Sequence, residues 1–172
     1  ITSPIEHHCI LHTLEAMEKE TDIKVEFVEI DKKGCVNLAH LEALISADTE
    51  KTLVSLMHCN NEIGTMIDLE KVAKMCVEHN VYFHSDTVQT IGYYPINVDE
   101  TKINFLAGAA HKFHGPKGVG FVYINGENLV KPIINGGSQE RNMRAGTENI
   151  YGIAGMAKAL EMSYENLETT RE

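Results

Sequence analysis

The sequence lacks the features that mark membrane and nucleic-acid-binding proteins. No apolar run approaches the roughly 20 residues of a membrane-spanning helix, and we expect neither a membrane span nor a signal peptide. Basic residues are few: 15 lysines and arginines stand against 25 aspartates and glutamates, giving a net charge of −10. This balance argues against binding to nucleic acid or to an anionic membrane surface. An anionic ligand stays possible, because local backbone dipoles can outweigh net charge.

Cysteine is also scarce, and no pair is spaced as Cys-x-x-Cys. The four cysteines are Cys9, Cys35, Cys59 and Cys76. In a chain of 172 residues they are expected as reduced thiols of a cytosolic protein, without a structural zinc site. His8 and His12 are spaced like zinc ligands, but no glutamate lies between them, so no metal is predicted. No phosphate-loop or dinucleotide-binding glycine motif occurs, which leaves nucleotide binding without support.

Hydrophobic periodicity predicts alternating helices and strands in one domain. The predicted helices cover residues 5–20, 38–45, 68–79 and 148–168, and the predicted strands cover residues 24–30, 52–57, 81–84, 104–107 and 119–124. Asn37 and Asp68 are placed at the starts of helices. Val25 and Phe27 are expected to face inward, with Val28 and Ile30 as further candidates. The alternation is typical of an α/β fold with a mostly parallel sheet flanked by helices.

Polar side chains accumulate directly after three of the predicted strands. These are Asn60 and Asn61, Asp86 and Gln89, and His111 and Lys112. In open α/β sheets the ligand crevice lies at the carboxyl ends of the strands. We therefore expect these residues to meet at one edge of the sheet.

Lys112 and Asp86 form the pair that pyridoxal 5'-phosphate (PLP) chemistry requires. A lysine amine forms an imine with the cofactor aldehyde, and a carboxylate pairs with the protonated pyridine nitrogen. Gln89 is within reach of the phenolic oxygen, and the imidazole of His7 can stack on the ring. Taken singly, each has an ordinary alternative: a surface lysine in a Gly/Pro loop, an N-cap aspartate, a solvated glutamine and an exposed histidine at a helix start.

A glycine-flanked, basic segment runs from Gly136 to Thr147. It can hold a phosphate through Thr147 and backbone N–H groups at the start of the last helix. The alternative is a flexible surface loop whose arginines only solvate it.

Five stretches of the chain resemble one enzyme family in order and in detail. They are residues 6–7, 57–64, 83–89, 110–118 and 136–149. They are similar to those of cysteine desulfurases of the nitrogen-fixation and iron–sulfur-cluster type, a branch of the class V aminotransferases. The resemblance implies the large, cofactor-binding domain of a fold-type I PLP-dependent transferase. It also implies conversion of L-cysteine to L-alanine, with the sulfur passed to an enzyme persulfide for iron–sulfur cluster assembly.

The resemblance also implies roles for individual residues. Lys112 would carry the cofactor, and His7 would stack on its ring and assist proton transfer. Asp86 would bind the ring nitrogen, and Asn61 and Gln89 would contact the phenolic oxygen. His111 would contact the phosphate, and Thr147 would reach the phosphate of a neighbouring subunit in a homodimer with shared sites. The expected partners are L-cysteine and a sulfur-acceptor scaffold protein.

Two departures from the family pattern limit these expectations. Ala109 stands where the family usually has a phosphate-binding serine. The chain, residues 1–172, matches only the central part of the large domain, so an N-terminal segment, a C-terminal small domain and the persulfide cysteine are expected outside it. The fragment alone is therefore expected to be inactive. A selenocysteine lyase or another class V enzyme, and a non-catalytic interaction module, remain as alternatives.

Overall fold

The computed structural model describes residues 1–47, 51–128 and 130–170. Within these ranges the helices are α1 (His8–Glu20), α2 (Leu38–Ala47), α3 (Leu69–Glu78), α4 (Val98–Thr101), α5 (Ile150–Glu165) and α6 (Leu167–Thr170). The strands are β1 (Leu53–Ser55), β2 (Tyr82–Asp86), β3 (Phe105–Ala109) and β4 (Gly120–Ile124). Two 3-10 turns lie at Ala110–Phe113 and Glu140–Asn142.

The four strands form one mixed sheet in the order β1-β2-β3-β4. The first three strands are parallel, and β4 pairs antiparallel to β3. Asp86 stands opposite Ala107 in the β2–β3 register. The prediction of an α/β fold with a mostly parallel sheet is confirmed.

The predicted strand over residues 24–30 is wrong as a strand, and the inward position expected for Phe27 is wrong, whereas Val28 is buried as expected. Phe27 and Ile30 make only isolated bridges. Thr2 donates its backbone N–H to Glu26 and accepts the N–H of Val28, at 2.9 and 2.8 Å. This pairing turns Val28 into the core and leaves Phe27 51% exposed, because neighbouring residues of an extended chain point to opposite faces.

Helix starts depend on side-chain caps, and two of them were predicted. The Asn37 side chain accepts the N–H of His40 at 3.2 Å, and Asp68 accepts that of Lys71 at 3.0 Å. The first helix begins at His8 rather than at residue 5, since His7 has non-helical backbone angles and acts as its N-cap.

The main core fills the space between the sheet and helices α2 and α3. It is built from fully buried side chains of these elements, including Leu41, Val54, Val72, Phe83 and Leu106. A smaller cluster around Ile91, Ala110 and Phe113 packs against α5. This second cluster holds the 3-10 turn after β3 in place. No helix of the described residues is long and apolar enough to span a membrane.

We expect Gly92→Ala to unfold the chain more readily than Gly64→Ala. Both glycines have positive φ, +85° and +72°, which costs about 1 kcal/mol for a residue with a Cβ. A Cβ at Gly92 would also lie 2.8 Å from Cβ of Phe113, whereas nothing lies within 4 Å at Gly64. Overpacking adds about 1–3 kcal/mol. Urea denaturation measures the difference, and equal losses in the two variants would contradict it.

Candidate active site

The three parallel strands end at one edge, and hydrogen bonds continue beyond the strands. The N–H of His58, past the end of β1, donates to the carbonyl of Asp86 at 2.9 Å. The N–H of Thr87, past β2, donates to the carbonyl of Ala107 at 3.1 Å. The segments that carry Asn61, Asp86 and Lys112 are thus held side by side, as the sequence predicts.

Lys112 lies in the 3-10 turn that follows β3 directly, and its side chain is half-buried. The hydroxyl of Tyr93 donates to the Lys112 carbonyl at 2.8 Å. The next residue, Phe113, is fully buried. Behind the turn, the N–H of Gly115 donates to the Ala110 carbonyl at 2.8 Å. The backbone of Lys112 is therefore fixed from both sides, while the neighbouring His111 is exposed.

Asp86 is the last residue of β2 and is half-buried. One carboxylate oxygen accepts the N–H of Val88 at 2.9 Å, which shapes the turn that carries Gln89. No helix begins directly after Asp86, so the alternative of a helix N-cap is wrong, and the bond belongs to a turn. It occupies one oxygen and is compatible with a ligand on the other.

His84 belongs to this site, although the sequence interpretation did not single it out. Its Nδ1 lies 2.8 Å from the hydroxyl of Ser55 on β1. Burial lowers the pKa of His84, and the negative charge of Asp86 acts in the opposite direction. The period of two in a strand places His84 and Asp86 on the same face, and this signal was available in the sequence.

His7 is exposed and stands at the start of α1. Its Nδ1 accepts the N–H of Cys9 at 3.2 Å, so a neutral ring carries its proton on Nε2. Partial burial and then the charge of Asp86 raise the pKa of the Cys9 thiol. The first turn of α1 therefore lies within electrostatic reach of Asp86.

Glu6 is a second residue that sequence reasoning missed. Its carboxylate accepts the hydroxyl of Ser3 at 2.6 Å and the N–H of Met57 at 2.8 Å. Burial raises the pKa of Glu6 from 4.5 to about 7, and the charge of Asp86 adds to this shift. No pattern of residue types indicates this burial, because it depends on contact with residues about 50 positions away.

The two asparagines of the loop after β1 lie in different environments. Asn60 is buried and structural: its side chain donates to the Ile5 carbonyl at 2.7 Å and accepts two backbone N–H groups of its own turn. Asn61 is exposed beside it. His58, also in this loop, lies 2.9 Å from the hydroxyl of Thr90, and burial lowers its pKa. His58 thereby joins this loop to the turn after β2.

Within the part of the chain that the structure describes, no hydrogen bond joins Thr147 to the strand ends. It is exposed in the loop before α5. The helix is capped by Asn149, whose side chain already accepts the N–H of Gly152 at 3.1 Å. In the same loop Gly146 donates to the side chain of Gln139 at 3.1 Å. The phosphate role of Thr147 stays a prediction.

The residues at the strand ends fit a pyridine aldehyde phosphate by their chemistry. Lys112 offers an amine, Asp86 a carboxylate, and Asn61 and Gln89 offer amide donors, while Ala109 offers no hydroxyl. In the described part of the chain, no group of three or more His, Cys, Asp or Glu side chains is placed to hold a metal ion.

Comparison with known proteins identifies relatives that are named for their function. A cysteine desulfurase IscS of Dictyoglomus turgidum is 45% identical over 163 residues, which cover 95% of this chain and 41% of that protein. The structure of a NifS-like protein matches with a TM-score of 0.92 and 41% identity, over 98% of this chain and 46% of that one. A structure described as SspA in complex with cysteine matches with a TM-score of 0.87 and 33% identity, over 93% and 46%.

The chain thus spans less than half the length of these relatives. The family model described as Aminotransferase class-V matches residues 1–171. Because this match covers almost every residue, the chain belongs to the class-V aminotransferase family.

Proposed function

We propose that this chain forms the centre of the PLP site of a cysteine desulfurase. Class-V aminotransferases and cysteine desulfurases are PLP-dependent. The observation that supports the proposal most is the position of Lys112 and Asp86 at the ends of adjacent parallel strands. The whole protein would convert L-cysteine to L-alanine and pass the sulfur to a cysteine thiol, which becomes a persulfide for iron–sulfur cluster assembly.

When bound, PLP supplies an electron sink for the α carbon of the substrate. In this proposal the Lys112 amine binds the cofactor and afterwards moves a proton as a base. The other oxygen of Asp86 would accept a hydrogen bond from the protonated ring nitrogen. His7, with its proton on Nε2, covers the ring, and Asn61 and Gln89 donate to the phenolic oxygen.

The phosphate would lie near His111 and would be completed by Thr147 of a neighbouring subunit. This arrangement requires a homodimer with shared sites. It is consistent with the exposed position of Thr147 in the loop before α5. A sulfur-acceptor scaffold protein and a cytoplasmic location belong to the same proposal.

We also propose that residues 1–172 are the central part of the large domain. The share of the relatives that the chain spans supports this, at 41% to 46%. On this view the persulfide cysteine lies elsewhere in the whole protein. Cys76 is unsuited to the role, since it is buried and its burial raises the thiol pKa to about 12.

The purified chain mixed with PLP should develop a visible absorbance band that requires the Lys112 amine. Lys112→Ala should lose the band, because it removes the only atom of this residue that can bond to the aldehyde carbon. Lys117→Ala is the matched control: Lys117 is exposed in the same loop and should leave the band intact. Absorbance titration with PLP gives the measurement.

A band of equal strength in Lys112→Ala would overturn the assignment of Lys112. Loss of the band in both lysine variants would show that the loop, rather than one amine, determines binding.

The 172-residue chain alone should form no alanine from L-cysteine in repeated turnovers. The reason is that the thiol that accepts sulfur is proposed to lie outside it. Alanine is measured by amino-acid analysis after incubation with PLP and L-cysteine, with a full-length cysteine desulfurase as the positive control. Steady turnover by the chain would contradict the proposal that the sulfur-accepting thiol lies outside it.

A further inference from the structure

Glu6 has no part in the roles proposed above, yet its carboxylate is buried and hydrogen-bonded. Among the described residues it is the one buried carboxylate, 6% exposed. Burying an acid is costly unless its oxygens are hydrogen-bonded or its proton is retained. The burial of Glu6 beside the candidate ligand site therefore indicates a role in that site.

The carboxylate of Glu6 joins two separate parts of the site. It accepts the Met57 N–H at the end of the β1 segment and the Ser3 hydroxyl just before α1. Asn60 reinforces the same joint by donating to the carbonyl of Ile5. The residue after Glu6 is His7, so these contacts fix the backbone position from which the His7 side chain extends.

The ionisable groups around Glu6 are acids. Burial is the main cause of the raised pKa of Glu6, and the charge of Asp86 on β2 adds to it. The pKa of Cys9 in the first turn of α1 is raised by burial, then by Asp86, and least by Glu6. On its other side is a cavity of about 10 Å³, whose lining contains no second titratable residue. An ionised Glu6 therefore places a second negative charge near Asp86.

We propose that Glu6 is a positioning residue, whose carboxylate fixes the His7 turn against β1 and whose charge adds to that of Asp86 at the ring nitrogen. This inference rests on the proposed PLP site. The ionised form strengthens the negative potential that favours a protonated pyridine nitrogen, and the protonated form keeps the joint while removing the charge.

Glutamine reproduces the protonated form of Glu6. Protonated Glu6 donates to the Ser3 oxygen with one oxygen and accepts the Met57 N–H with the other. A glutamine amide can do the same through its Nε2 and Oε1 atoms. Glu6→Gln therefore removes only the charge, whereas Glu6→Ala removes the joint. Glu20→Gln, at the exposed end of α1, is the matched control.

The first measurement is stability against pH without cofactor. The folded chain keeps a proton on Glu6 between pH 4.5 and about 7 that the unfolded chain has lost. Its contribution to stability is therefore fully present below pH 4.5 and is lost as pH rises through 7. From pH 5 to pH 8, the unfolding constant of the unmodified chain should rise by roughly 10- to 100-fold relative to Glu6→Gln. Equal pH profiles would overturn the assignment, whatever happens with the cofactor.

The second measurement is the dissociation constant of PLP from the absorbance band. Glu6→Gln should match the unmodified chain at pH 6 and bind about threefold more weakly at pH 8, where only the natural residue is charged. Glu6→Ala should bind about tenfold more weakly at both pH values, since it leaves the Met57 N–H without its acceptor. Glu20→Gln should change neither.

The two proposals fail in different ways. If the unmodified chain shows no Lys112-dependent band, the proposed PLP site fails, and the stability profiles still decide whether folding makes Glu6 retain its proton. If the band forms and neither Glu6 variant changes its dissociation constant, the PLP site stands and the positioning role of Glu6 is overturned.

Discussion

The parallel direction of β1, β2 and β3 is the constraint on which the candidate site depends. Parallel strands end at the same edge, so three loops that are distant in sequence become neighbours. Hydrogen bonds beyond the strand ends, from His58 to Asp86 and from Thr87 to Ala107, keep these loops in register. An antiparallel β2–β3 pair would place Asp86 and Lys112 at opposite edges. The mixed sheet meets this requirement because only β4, which carries none of the three loops, runs the other way.

Electrostatics at this edge favours a bound cation. The negative charge of Asp86 acts on the ionisable groups of Glu6, Cys9 and His84, which lie in three different segments. Burial is the largest cause of the pKa shift of each of these three neighbours, and it favours their neutral forms. A protonated ring nitrogen relieves that charge without disturbing the hydrogen bonds around it.

Sequence patterns predicted what local chemistry controls and failed where tertiary contacts decide. Periodicity located the four long helices, the caps Asn37 and Asp68, and the edge where polar residues meet. It failed at residues 24–30, because alternation shows that one face is buried but not which one, and the bonds of Thr2 determine that. Glu6 was missed for a similar reason. Its partner Met57 is 51 residues away, and no residue-type pattern encodes that distance.

The negative charge of Asp86 also acts on a cysteine thiol near the candidate site. A thiol accepts sulfur as the thiolate, whose formation requires a positive or neutral environment. Cys9 lies near the site, but burial and then the charge of Asp86 raise its pKa and so disfavour the thiolate. Cys76 is buried against the core and its thiolate is disfavoured further. A site that stabilises a pyridinium ion is for this reason a poor place to generate a thiolate.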